Sequence, residues 1–363
     1  MQTSDRSPFS FDLWEMLQRE ERDILLYGMG NGADKLLAVC EQRGIAIAGI
    51  FASNGFVRGH SFHGMRVMPY SEVCEKYPEG GCVILLAFGS SRPEVLALFD
   101  AVAARYPLYV PDLPVCGSNL FDAGFYRAHG AEFDAARALL ASDADKALFD
   151  RVIACKYTGE YARFCDTVSA LTPWEMLTRR EITAMADLGA YNGDSAREAL
   201  EKCPRLRFIL AAEPDKRNFK KLSLWSESMT ACEIECRQIA VWDGPGEAVF
   251  DASGNRNAGL CTGRGGDTVQ TDSLDRMLGG RRVDYIKYDV EGAEKEALLG
   301  CADSIRRHLP ALRVALYHRS EDLFALPLLL QKLAPDAYDL HLARTPGVPC
   351  WDLDLIALPR QKK

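Results

Sequence analysis

Residues 181–202 read EITAMADLGAYNGDSAREALEK. Ile182 to Leu188 is an apolar run of strand length, and Gly189-Ala-Tyr-Asn-Gly193 is a turn of small residues. Helical periodicity begins at Ser195 and lasts to Lys202. A strand that passes through a glycine turn into a helix opens a β-α-β unit. Small residues at such a turn let a ligand approach the backbone, and the free N–H groups of the helix start face that ligand. This stretch fixes the fold class as an open α/β sheet, with the ligand expected beyond the carboxyl ends of the strands.

The pattern continues downstream. Phe208 to Ala212 reads as the next strand and ends in Glu213-Pro-Asp215, followed by a helical stretch from Arg217 to Ser226. Cys232 to Trp242 reads as one strand, and Ala248 to Phe250 as a short one that pairs with a later segment. Val283 to Val290 and Leu312 to His318 are further strands, the first leading into Asp289-Val-Glu291-Gly292. A helix over Glu321–Leu333 precedes Tyr338–Ala343 and Trp351–Leu358, two consecutive strands with no helix between them, which should pair antiparallel. The expectation is a mainly parallel, doubly wound sheet with an antiparallel edge. Asp187, Glu213 and Asp289 then stand at three strand ends beside one crevice. Carboxylates there accept hydrogen bonds from a ribose diol and stabilise a sulfonium or ammonium group, whereas they repel a pyrophosphate.

The segments ADLGAYNGDSA, AAEPD, TVQTDSLDRML and YIKYDVEGAEKEAL, in this order, resemble the FkbM branch of class I S-adenosylmethionine-dependent methyltransferases. The resemblance covers roughly 181–363, and DVEGAE following TDSLD is its most specific part. It implies a seven-stranded class I sheet and S-adenosyl-L-methionine as cofactor. It also implies that Asp187, Gly189, Ala190, Tyr191, Asn192 and Gly193 form the methionine and ribose loop. Glu213 would bind the ribose hydroxyls, Ala240 and Val241 would line the adenine, and Asp289 would lie near the amino group or the methyl acceptor. The branch usually carries Asn at the third loop position; here Tyr191 precedes Asn192, which implies a reshaped loop mouth.

Transfer to a hydroxyl requires loss of its proton. Asp289, Glu291 and His318 are the candidates at strand ends, and His318 is the expected base because an imidazole ordinarily titrates near neutrality. Asp289 is expected to position cofactor or acceptor. A capping or loop role is the plain alternative for His318, and solvation for Arg319. No metal is expected; a divalent ion on Asp289 and a neighbouring acid is the weighed alternative.

Upstream, Asp23-Ile-Leu-Leu-Tyr27 runs into Gly28-Met-Gly30-Asn-Gly32-Ala33, a G-x-G-x-x-A turn between strand and helix. The next strand, Ile45 to Phe51, leads into a stretch without Asp or Glu through residue 60, so the ribose-binding acid is missing. Gly28, Gly30, Gly32 and Ser53 form a possible second nucleotide or nucleotide-sugar site, with Asn54 or Arg58 as further phosphate contacts. His60 and His63 read as polar turn residues. Strands Cys82–Phe88 and Leu108–Val110 with a helix over Pro93–Arg105 complete this half. The expected division is a Rossmann-like domain over 1–118, a helical connector over 119–180, and a methyltransferase domain over 181–363.

The chain has 363 residues, 48% hydrophobic and 26% charged, with 43 basic and 51 acidic residues and a net charge of −8. That is a globular composition with material for two cores, and its acidity argues against a dedicated nucleic-acid binder. No run approaches a membrane span, and no signal peptide is read at the N-terminus. Of 12 cysteines only Cys232 and Cys236 are close, without a second pair to complete a metal site, so they read as buried strand thiols. Reduced thiols and no export signal imply the cytoplasm. The leading expectation is O-methylation of a small-molecule or saccharide acceptor, with homo-oligomerisation left open. N-methylation, nucleotide-sugar binding without methyl transfer, and NAD-dependent redox chemistry are the rivals.

Overall fold

A computed structural model describes residues 9–57, 61–250 and 267–360. Arg58 and His60 lie outside the described residues. Two mainly parallel sheets stand side by side, bridged by helices. The first half contributes β1 (Asp23–Tyr27), β2 (Gly49–Ala52), β3 (Ser61–Phe62), β4 (Met65–Pro69), β5 (Cys82–Leu86) and β6 (Leu108–Tyr109), in the order β3-β4-β2-β1-β5-β6. Apart from Asp23 at the start of β1, its central strands are apolar because helices cover both faces, as a parallel sheet requires. The β3–β4 hairpin and a helix over Tyr70–Lys76 are short elements that hydrophobic periodicity does not reveal.

The second half contributes β7 (Ala184–Leu188), β8 (Phe208–Ala212), β9 (Glu233–Arg237), β10 (Ala240–Val241), β11 (Gly246–Phe250), β12 (Asp267–Asp272), β13 (Tyr285–Tyr288), β14 (Ala311–Ala315), β15 (Tyr338–Arg344) and β16 (Leu353–Pro359). Seven of these form the sheet β15-β16-β14-β13-β7-β8-β9, with β16 antiparallel to both neighbours. The single strand expected over Cys232–Trp242 is corrected. The chain breaks after Arg237, leaving β9 in the large sheet and sending β10 into a separate sheet, β10-β12-β11. In both large sheets the glycine turn follows the strand at which the order reverses, β1 and β7.

Helices over Ala123–Ala128, Gly130–Leu139, Asp143–Thr158 and Pro173–Leu177 join the halves. The Asp143–Thr158 helix is capped by Ser142 and ends at Gly159 in the left-handed region (φ 62°), so it stops abruptly beside β6. Its Phe149 and Val152, with Phe121 and Phe133, extend one apolar cluster from the first sheet to the second. Every described cysteine is a free thiol. Among the described residues, no helix is long and apolar enough to cross a membrane.

Candidate active site

A cavity of about 580 Å³ opens at the carboxyl ends of β7, β8 and β13. Its floor is the 189–193 turn. Gly189 has φ 77°, and a Cβ on it would stand 1.8 Å from the Asp289 carbonyl oxygen. Only glycine permits this approach, which brings the ends of β7 and β13 together. Gly189 and Ala190 both donate to the Ala212 carbonyl, each at 3.0 Å. Tyr191, also at positive φ (48°), then directs its N–H to Glu213 Oε2 at 2.8 Å. Glu213 Oε1 accepts from Asp215 N at 2.9 Å, and Asp215 caps the following helix. Burial pushes the Glu213 carboxyl up to about 7 from its ordinary 4.5, against those two N–H bonds that lower it. Ala240 and Val241 of β10 line the far wall. Asn192 and Gly193 complete the turn; Gly193 leaves room for the Trp225 ring.

Behind the floor lies a charge cluster inside the sheet. Lys287, in mid-strand on β13, faces Asp187 on β7 in register. Its Nζ is 3.5 Å from Asp187, 3.4 Å from Asp289 and 3.2 Å from the Gly189 carbonyl. Asp187 is wholly buried, and burial raises it to about 6 despite Lys287. Burial would lower Lys287, but Asp289 and Asp187 outweigh it and hold the ammonium form. Lys287 was missed from the sequence, although a single lysine inside the apolar run YIKYDV is a signal: a buried ammonium needs a partner.

At the other end of the cavity Asp289, Glu291 and His318 converge. His318 is 0% exposed. Its Nδ1 is 2.8 Å from Glu294 Oε1, while Nε2 points between Asp289 Oδ1 and Glu291 Oε2, each 3.5 Å away. Glu294, also missed from the sequence, accepts from the N–H groups of Val290 and Gly292 and is thereby fixed. Tyr317 donates to Asp289 Oδ1 at 3.2 Å. Burial raises Asp289, but Lys287 and His318 outweigh that and hold it below the usual carboxylate range. Burial likewise would lower His318, yet Glu294, Glu291 and Asp289 raise it to about 10. Against the expectation of a base near neutrality at His318, the three carboxylates around the ring favour its protonated form. Arg319 is not simply solvated; its Nε donates to the Gly292 carbonyl at 2.9 Å.

The roof comes from the first half of the chain. Phe88 to Arg92 and Val95, beyond β5, line the cavity together with Gly347 to Pro349, Trp351 and Asp352. Ser90 and Val348 exchange two backbone hydrogen bonds, at 2.8 and 3.0 Å. Arg344, buried at the end of β15, donates to the carbonyls of Gly347 and Pro349 and to Thr167, so it ties this loop to the connector. Cys116 closes the acidic end: its N–H donates to the His318 carbonyl at 2.9 Å and its Sγ to the Glu291 carbonyl at 3.0 Å. These long-range walls left no local signal in the sequence.

The 28–33 turn does not line this cavity. The Phe88 ring lies over Gly28, where a Cβ would meet Cδ1 at 2.4 Å. Gly30 opens onto free space, whereas a Cβ on Gly32 would stand 2.2 Å from the Ala87 carbonyl oxygen. Ser53 Oγ is 2.5 Å from the Tyr27 hydroxyl. His63 pairs with Asp34 at 2.7 Å on the surface. Cys232 and Cys236 pack in an apolar cluster of the second sheet.

Residues 187–335 match the model of the methyltransferase FkbM domain. Over both halves the fold is similar to the crystal structure of a methyltransferase FkbM from Methylobacillus flagellatus KT, with TM-score 0.72 and 18% identity over 96% of this chain and 94% of that one. A precorrin-6y C5,15-methyltransferase from Geobacter metallireducens GS-15 covers 52% of this chain and 86% of its own, at 11% identity and TM-score 0.34. An rRNA methylase from Streptococcus thermophilus covers 52% and 92%, at 10% identity and TM-score 0.35. No curated protein matches the sequence. Residues 187–335 thus carry the sequence pattern of a methyltransferase FkbM domain, within a fold similar to that of a methyltransferase FkbM.

Proposed function

We propose that this protein transfers a methyl group from S-adenosylmethionine to a hydroxyl of a small, saccharide-type acceptor. The observation that carries this reading is a single cavity with a nucleoside-type floor at one end and an acidic cluster at the other. The floor suits the cofactor. Gly189 lets the ends of β7 and β13 meet beneath the turn, and Glu213 presents a fixed carboxylate to a ribose diol. Ala240 and Val241 offer an apolar face to adenine, while Asp289 favours a cationic ligand and Asp187 lies behind the floor, paired with Lys287.

The bound cofactor supplies an activated methyl: the acceptor oxygen's lone pair forms the new C–O bond, and sulfur keeps the electron pair of the broken C–S bond. Everything else falls to this chain. The acceptor hydroxyl lies against Asp289 and Glu291; a Glu291 carboxylate oxygen takes its proton, while His318 stands between the two acids. The 88–92 and 347–352 segments exclude water and align oxygen with methyl, the main protein contribution to a displacement of this kind. The polar side chains of Ser90, Ser91 and Arg92 on the roof give a sugar hydroxyl groups to bond. We further propose that the chain divides into a Rossmann-like domain over 1–118 that frames the acceptor, a connector over 119–180, and the methyltransferase domain over 181–363.

Calorimetric titration with S-adenosylmethionine tests the cofactor half of this reading. Binding to the intact protein that weakens about 10- to 100-fold in Glu213→Ala, the worth of a hydrogen bond to a charged group, supports it. No binding to the intact protein refutes it. A screen of sugars and nucleotide sugars with methyl-labelled cofactor then tests the acceptor; a product methylated on nitrogen refutes the hydroxyl assignment.

A further inference from the structure

His318 Nε2 is a buried nitrogen without a hydrogen bond among the described residues, on a side chain that is wholly buried. It is aimed into the gap between the Asp289 and Glu291 carboxylates. One donor atom from each of the three residues lies within 4.8 Å of the others. Two donors each about 2.1 Å from one ion stand roughly 3.0 to 3.4 Å apart at octahedral or tetrahedral angles. The observed nitrogen–oxygen separations of 3.5 Å therefore need only a small inward adjustment.

We propose that Asp289, Glu291 and His318 bind one divalent cation of the hardness of Mn²⁺, through a carboxylate oxygen from each acid and the imidazole Nε2. Three features beyond the cluster support this. The first is the support given to the histidine. Glu294 accepts a hydrogen bond from Nδ1 at 2.8 Å and is itself held by two backbone N–H groups, so an arriving ion displaces the proton on Nε2, the nitrogen aimed at the two acids, and leaves the one on Nδ1. A carboxylate behind a ligating imidazole is the usual second layer of a metal centre. The second is access: all three ligand residues line the cavity, so an ion has an entry path and keeps open positions on the cavity side. The third is charge. Three carboxylates converge on one imidazole, and a divalent cation balances them better than one proton. Two oxygens and one nitrogen suit Mn²⁺ better than an ion that prefers thiolate or an all-nitrogen set. The open positions face the place where the acceptor hydroxyl is proposed to lie, so the ion would orient that oxygen. This role rests on the methyl-transfer reading; the binding itself does not.

The test uses the full chain stripped with chelator and desalted, titrated with Mn²⁺ while free ion is read by electron paramagnetic resonance. One bound Mn²⁺ per chain is expected. Glu291→Gln and His318→Gln should abolish it, and Glu294→Gln, which removes only the support of the ring, should weaken it about 10- to 100-fold. Circular dichroism on the same samples reports whether each variant is folded, and calorimetry with S-adenosylmethionine keeps a cofactor failure separate from an ion failure. Should a variant not fold, Asp289→Asn takes its place. Absence of bound Mn²⁺ in the intact protein, or binding unchanged in Glu291→Gln and His318→Gln, overturns the proposal.

Discussion

The chain contains the same local device twice, and only one copy lines the cavity. Both β1 and β7 end in a glycine turn that starts a helix, and both sit where the strand order reverses. The differences are at matched positions. Two residues before the first glycine stands Leu26 in one half and Asp187 in the other; across the sheet they face Leu85 and Lys287. The residue after the next strand is Ser53 in one half and Glu213 in the other. Phe88 covers the first turn, whereas the second is open to the cavity. A glycine turn thus supplies backbone room, and the charged groups around it decide what the room is for.

The largest effect should come from making the second half like the first. Lys287→Met leaves Asp187 buried without its cation and should cost about 3 to 5 kcal/mol in denaturant unfolding. The double variant Asp187→Leu, Lys287→Leu, which copies the Leu26–Leu85 pair, should recover most of that stability without recovering cofactor binding. Recovery of both would show that the buried pair has no part in the site.

Next in size is the pair of turn glycines. Gly189→Ala adds a Cβ against the Asp289 carbonyl in a left-handed conformation and should cost about 2 to 4 kcal/mol and eliminate cofactor binding. Gly30→Ala meets no atom within 4 Å and should cost about 1 to 3 kcal/mol for its backbone conformation, with cofactor affinity unchanged. Equal losses of affinity in calorimetry would break the contrast.

A smaller effect separates the strand-end residues. Ser53→Ala removes the bond to Tyr27 and should cost about 1 kcal/mol of stability with no change in cofactor affinity, unlike Glu213→Ala.

The smallest is a pH effect present only in the second half. Glu213 has a folded value near 7, raised by burial, against an ordinary 4.5. Because the protonated form is the one the fold favours, its contribution to the ligand-free protein is complete below 4.5 and is lost as pH rises through 7. Cofactor hydroxyls donate to the ionised form, so affinity should strengthen as pH rises from 6 to 8, and Glu213→Gln should flatten that rise. A slope unchanged in Glu213→Gln would assign the titration elsewhere.

Glu213 and Asp289 were legible because each follows an apolar run, and so was the sheet; Asp187 was legible too, but it lies inside β7 behind the cavity floor. The break between β9 and β10 was not, since Cys232 to Trp242 is one strand-like run and nothing local says which sheet receives its end. The first glycine turn satisfied its local pattern, and only the fold shows Phe88 lying over it. His318 was legible as a site candidate, but its charge was not: Glu294 reaches it from the helix start after β13, and the effect of three carboxylates on one ring exists only in three dimensions.

The Ser90–Val348 bridge carries a consequence for engineering. Because half of the cavity roof belongs to the first sheet and is stitched to a loop of the second, the region matching the methyltransferase family is not a transplantable cassette. Excised alone, it should retain its nucleoside floor yet leave the acceptor end open to bulk water. Conversely, grafting a different 82–118 segment onto this scaffold is a direct route to retargeting it, altering the choice of acceptor while sparing the grip on the cofactor.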